Sequence, residues 1–172
     1  MLTEIQNYLQ RIEDLHDQIT GLIGDLPAEA LNWRPTDQVD DHASNSLAVL
    51  TVHVAGAEHF WIAEVIGRQP PTRDRDAEFV TEAANAADLI RHVGDIGTET
   101  RRILTALDET ELNTSREVKG RTVAVRWALL HVVEHIALHL GHMQLTYQLW
   151  QEGKSKYWPR WFERLGNEEN KG

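Results

Sequence analysis

Cysteine is absent from the 172-residue chain, which excludes disulfides, cysteine-ligated zinc and any thiol nucleophile belonging to the protein itself. Long apolar runs are missing too: the longest, 47–50, 60–63 and 127–130, have four residues each, against the roughly 20 that a membrane helix needs. Positive charge is short, with 17 Lys and Arg against 27 Asp and Glu and a net charge of −10. That balance repels phosphate backbones, so neither nucleic acid nor a membrane is an expected partner. No G-x-S-x-G, P-loop or G-x-G-x-x-G motif is present, and no stretch alternates like a half-buried strand. The first residues, Met1-Leu2-Thr3-Glu4-Ile5-Gln6, offer neither a basic leader nor an apolar stretch, so a cytoplasmic location is the default expectation.

What is present is helical periodicity. Ile5, Leu9, Ile12, Leu15, Ile19, Leu22 and Ile23 recur at spacings of three and four. They predict a first helix over 3–23, with a capping box between Thr3 and Gln6. Residues 25–45, which include Pro27 and Pro35, read as a connection containing a helical turn. Leu47, Leu50, Val54, Ala57, Trp61 and Val65 then rebuild the period up to Gly67 as a second helix. Residues 67–78, with Pro70-Pro71 and alternating Arg and Asp, read as a surface crossover that has little to bury. Residues 83–107 carry a third helix, weakened at Gly94 and Gly97, and a turn-rich stretch with a short hairpin at Lys119-Gly120 follows. Thr122 is expected to cap a fourth helix that reaches Gln151 and stops at Gly153.

Four long helices without repeats predict an all-α four-helix bundle, a single domain over 1–172. Residues 154–172 form an aromatic-rich tail, expected to fold back as an apolar clip. Val133, Ala137 and Leu140 lie opposite the histidines of helix four, and this apolar stripe predicts a homodimer.

Nine histidines make imidazole the abundant ligand type. His131, His135, His139 and His142 share one face of helix four, since residues four apart sit about 40° apart around a helix. Ala124, Trp127, Ala128, Val132, Leu138, Leu145 and Leu149 occupy the same face, so the rings are expected to point into the core. An unpartnered polar ring there costs about 1–3 kcal/mol. Two imidazoles one turn apart can converge on one ion, and both His131/His135 and His135/His139 have that spacing. His53, on the inward face of helix two, is suited to supply a third ligand, whereas His59 is turned away and His16, His42 and His92 read as surface or loop residues. The segment His131-Val132-Val133-Glu134-His135 also matches an H-x-x-E-H peptidase pattern in which Glu134 would be the base.

Three segments in order carry a resemblance: Leu31-Asn32-Trp33-Arg34-Pro35; Ser46-Leu47 followed by His53 and Trp61; and the run from His131 through His135 and His139 to Gly141. With these spacings the chain resembles the DinB/YfiT-like superfamily of four-helix-bundle metalloproteins over most of its length. The resemblance implies up-down-down-up topology, a dimer, and a divalent metal held by His53, His135 and His139. Many relatives read His-His-Arg-Gly-Gln where this chain has Leu138-His139-Leu140-Gly141-His142. The ligand positions survive while their surroundings change, with His131, His142 and Glu134 as candidate supporting residues around the ligands. Characterised relatives include enzymes that transfer or isomerise with low-molecular-weight thiols such as bacillithiol or mycothiol.

Three imidazoles leave a divalent ion with open positions, the arrangement of a catalytic site. Zinc is the first expectation, with nickel, iron or manganese as alternatives. A coordinated thiol ionises well below its free pKa of about 8.5, and in a cysteine-free chain that thiol must arrive with a substrate. The expected function is therefore a metal-dependent S-transferase acting on a small-molecule electrophile, its pocket walled by some of Trp33, Trp61 and Trp127. Two alternatives stand beside it: a metal-dependent hydrolase in which Glu134 or Glu58 activates water, and a non-enzymatic metal- or ligand-binding protein.

Overall fold

The structure, a computed structural model, describes residues 1–36 and 44–156. In chain order the elements are α1 (Thr3–Ile23), α2 (Ala28–Asn32), α3 (Leu47–His59), which continues as a π-helical segment (Phe60–Ile66), α4 (Arg75–Glu78), α5 (Ala86–Thr105), α6 (Glu109–Leu112), β1 (Ser115–Val118), β2 (Arg121–Ala124) and α7 (Val125–Trp150). The expected all-α architecture holds, with a single small antiparallel hairpin among the described residues.

Cross-helix contacts fix the direction of each long helix. Arg126 pairs with Glu4 where α7 and α1 begin, and Lys156 pairs with Asp25 where they end, so these two run parallel. Glu58 meets Thr100 and Gly67 meets Ile103, which makes α3 and α5 parallel as well. His16 against Gly97 and Glu13 against Arg101 set α1 antiparallel to α5, and Trp61 beside Trp127 with His53 beside His139 sets α3 antiparallel to α7. The bundle is up-down-down-up. Because α3 and α5 are parallel neighbours, the chain must travel back along roughly 30 Å of helix between them, and the long connection over 67–85 serves that purpose.

The core is built from Ile5, Leu9, Ile12 and Ile19 of α1, Leu47, Leu50 and Val54 of α3, Leu89 and Leu104 of α5, and Ala128, Val132, Ile136 and Met143 of α7. The helix formed by α3 and its π continuation, residues Leu47–Ile66, is long and apolar enough to cross a membrane, but 61% of its apolar 18-residue window is buried inside the bundle. Its hydrophobicity is that of a central core helix. The register shift at Phe60–Ile66 is visible in Gly67 N–H donating five residues back to Ile62 O at 2.8 Å.

Several local expectations are corrected. No capping box forms at Thr3: Leu2 is the residue before α1 and no side chain caps it. Thr122 does not cap helix four, because it pairs with Glu117 inside the hairpin, and α7 begins at Val125 directly from β2. Gly94 and Gly97 do not interrupt α5, which runs unbroken from Ala86 to Thr105; Gly94 faces open space and Gly97 is where His16 approaches. The hairpin turns as expected at Lys119 and Gly120, both with positive φ (49° and 77°), the mirror-image turn geometry that suits strand twist.

The core stripe of α7 is also rotated from the expected one. Leu140 is buried in the core and Val133 packs against it, so of the expected outer stripe only Ala137 is exposed. Trp127, Leu138, Leu145 and Leu149, expected inside, are each more than half exposed, as is Leu130. The histidines thus flank the core and do not point into its centre. His42 and the aromatic tail from Tyr157 onward lie outside the described residues.

Candidate metal centre

His135 and His139 stand one turn apart on α7, and His53 faces them from α3. Ring centroids are 5.1 Å apart for His53 and His135, 4.9 Å for His53 and His139, and 4.4 Å for His135 and His139. One nitrogen from each ring lies within 4.8 Å of the other two, so the three could hold one ion. His135 Nδ1 is buried and has no hydrogen-bond partner in the protein. Left so, it would cost about 1–3 kcal/mol, and a coordinated ion would remove that cost. Burial, followed by the charges of His139, His53 and His131, pushes the His135 pKa down to about 3. Burial, followed by His53 and His142, pushes His139 down to about 4. Both rings are therefore neutral at pH 7, which is the ligating form. The donor set fits a divalent metal.

The rear of His53 is tied to the crossover. Its Nδ1 donates to Glu78 Oε2 at 2.8 Å, and Arg73 forks the same carboxylate, Nε to Oε1 at 2.6 Å and a terminal nitrogen to Oε2 at 2.8 Å. Burial alone would raise the Glu78 carboxyl, but hydrogen bonds and charge from Arg73 and His53 hold it below its ordinary range. The crossover is therefore not only surface, since Glu78 is 5% exposed. Sequence reasoning missed both residues. The available signal was Gly56, three residues after His53 on the ligand-bearing face, where a Cβ would lie 2.1 Å from Glu78 Oε1.

In front of the three histidines opens a cavity of about 520 Å³, walled by Leu50, Phe79, Leu145, Thr146 and Leu149 and edged by Asn45, Arg75 and His142. His142 Nδ1 is 3.4 Å from His139 Nδ1. None of the three expected tryptophans lines this cavity. Trp33 packs on Trp150 at 5.9 Å, while Trp61 and Trp127 pack on each other and on His131. His131 stands one turn beyond the triad, its ring 5.8 Å from that of His135, and Glu134 is 3.8 Å from it with its own side chain 79% exposed. The structure does not bring His131 and Glu134 into the cluster that the peptidase pattern would need.

His16, expected at the surface, is buried. Its Nε2 meets Glu58 Oε2 at 2.6 Å, and Thr100 donates to the other oxygen of Glu58. Gly97 makes the space, with its absent Cβ position 3.1 Å from His16 Nδ1. Glu58 is thus engaged between α1 and α5 and does not serve the metal cavity. His59 is turned away as expected, bonding Glu99 and Thr72.

Residues 8–150 match the mycothiol S-transferase family. A curated relative, the uncharacterized protein YkkA of Bacillus subtilis (strain 168), is 22% identical over 124 residues, covering 66% of this chain and 71% of that protein. Among solved structures, a DinB-like protein from Bacillus cereus ATCC 10987 superposes with a TM-score of 0.67 at 14% identity, covering 90% of this chain and 97% of that one. The DinB-like protein YjoA of Bacillus subtilis gives 0.62 at 15% identity over 92% and 99%. A conserved protein from Enterococcus faecalis gives 0.68 at 15% identity over 84% and 95%. With the fold shared by DinB-like structures and the family match spanning all four long helices, the chain belongs to the mycothiol S-transferase family.

Proposed function

We propose that the protein is a divalent-metal-dependent S-transferase that joins a low-molecular-weight thiol to a small electrophile. The observation that carries this reading is the His53, His135 and His139 cluster at the base of a cavity in a chain without cysteine. A cavity of about 520 Å³ is of the size that encloses a small organic ligand. His53, His135 and His139 would hold the ion, zinc first and nickel, iron or manganese next, which when bound would supply Lewis acidity to lower the pKa of a thiol. His135 and His139 accept the ion without first losing protons, because burial already holds them neutral. Leu50 and Phe79, both buried, give the reacting sulfur and carbon an apolar wall, and the half-exposed Leu145 and Leu149 edge the opening. In the transfer a sulfur–carbon bond forms, the bond to the leaving group breaks with its electron pair, and the thiol proton passes to solvent.

Trp61, Trp127 and His131 form an aromatic ledge beside His135, placed to flank a substrate that extends beyond the cavity. Low-molecular-weight thiols accumulate in reducing compartments, which supports a cytoplasmic site of action. Hydrolysis is less well supported, because Glu134 points to solvent and Glu58 is engaged by His16 and Thr100. The test is turnover of an electrophile such as a chlorinated aromatic by metal-loaded protein with a panel of cellular thiols. Thiol-dependent turnover lost in His53→Ala is the expected result; turnover without thiol would favour the hydrolase.

A further inference from the structure

The crossover between α3 and α5 is fastened at several points to the π-helical segment and its flank. Glu64 accepts the backbone N–H of Thr72 at 2.6 Å and of Arg73 at 2.9 Å. His59 Nε2 bonds Thr72 Oγ1 at 2.9 Å, and the Arg73 guanidinium lies 6.0 Å above the Phe60 ring. Arg73 is thereby fixed before it reaches Glu78, which it holds in a two-pronged fork. Glu78 in turn fills the space over Gly56 and accepts a hydrogen bond from Nδ1–H of His53. Each contact in the series leaves the next side chain less freedom.

We infer that Glu78 is a positioning residue for the metal centre, aimed by Arg73 and admitted by Gly56, which fixes His53 in the tautomer and orientation that turn Nε2 toward the ion. The inference rests on the three-histidine metal reading but not on the identity of the reaction. A carboxylate behind a metal-binding imidazole also makes the ring a stronger donor, and loss of such a partner typically weakens metal affinity about 10- to 100-fold. A purely structural ion pair would act differently: breaking it would lower stability and leave the ion's affinity and ligand field alone.

The experiment measures zinc affinity by competition with a chromophoric chelator and the visible absorption of the cobalt(II)-loaded protein. The variants are Glu78→Gln, Gly56→Ala and Arg73→Lys, with circular dichroism as the check on folding. Gly56→Ala matters most, since it displaces the Glu78 carboxylate without altering any group that bonds or ligates. Expected are one metal per wild-type chain, zinc affinity about 10- to 100-fold weaker in Glu78→Gln and Gly56→Ala, a smaller loss in Arg73→Lys, and a shifted cobalt band in all three. Folded variants with wild-type affinity and an unshifted cobalt band would overturn the inference and leave Glu78 as a structural ion pair only. Wild-type protein that retains no metal would instead bring down the metal reading itself, and Glu78's role with it.

Discussion

His16 Nε2 lies 2.6 Å from Glu58 Oε2, joining α1 to α3 in the wedge that α5 closes through Thr100. Burial alone would lower the pKa of His16, but the hydrogen bond and charge of Glu58, then the charges of Asp17 and Glu13, raise it above its ordinary value of 6.5. A base whose pKa is higher folded than unfolded stabilises the fold fully below its unfolded pKa and loses that contribution as pH rises through the folded one. The expected outcome is a melting temperature difference between wild type and His16→Gln that is largest below pH 6.5 and shrinks on the alkaline side. A difference that stays constant from about pH 5.5 to about pH 9 would show that His16 does not titrate with folding.

The metal cluster makes a separate prediction. Alanine at His53, His135 or His139 should each abolish stoichiometric metal, whereas His131→Ala should retain it, because His131 stands outside the cluster. Elemental analysis of freshly purified protein reads this directly. Added metal at about 100 times its dissociation constant should stabilise the wild type by about 2.7 kcal/mol, seen as a higher melting temperature, with no such gain in the three ligand variants. Loss of metal in His131→Ala with retention in His139→Ala would invert the assignment.

Helical period put His131, His135 and His139 on one face and turned His53 inward but left two pairs open on helix four, and the resemblance is what selected His135 and His139. The bundle topology was implied by resemblance, and the long connection after Gly67 agrees with it. Glu78 could not be read, since its burial depends on an absent side chain at Gly56 in a different element, and the residues around it look solvated. His16 was misjudged for a related reason: Gly97 looked like a helix weakener but is the gap that His16 fills. The rotation of α7 came from taking the histidine face as the core. The true core stripe through Ala128, Val132, Ile136 and Met143 lies beside it, and the difference decides which leucines meet solvent.

Those leucines motivate a homodimer on a different surface from the one expected. Leu130, Leu138, Leu145 and Leu149 are more than half exposed along α7, over about 28 Å at 1.5 Å per residue, and exposed apolar side chains gathered on one helix mark an interaction site. We propose that a second copy of the chain covers it. Sedimentation at micromolar concentration should give a dimer for the wild type and a monomer for the Leu130→Glu, Leu138→Glu double variant, both positions lying outside the cavity lining. A wild-type monomer would sink the proposal.

The aromatic ledge gives the prediction closest to function. Trp127 stacks on His131 with centroids 4.9 Å apart and planes 9° from parallel, and Trp61 meets both rings edge-on. An aromatic electrophile resting there would gain about 0.5–1.5 kcal/mol from ring contact, most of it already present before the transfer begins. Interactions made equally in the bound complex and the transition state change KM and leave kcat alone. Trp127→Ala should therefore raise KM for an aromatic electrophile about two- to tenfold, with kcat, metal content and KM for a small aliphatic electrophile nearly unchanged. Equal losses for both electrophiles would mean that Trp127 supports the site only through His131, and an unchanged KM would remove the ledge from the substrate path.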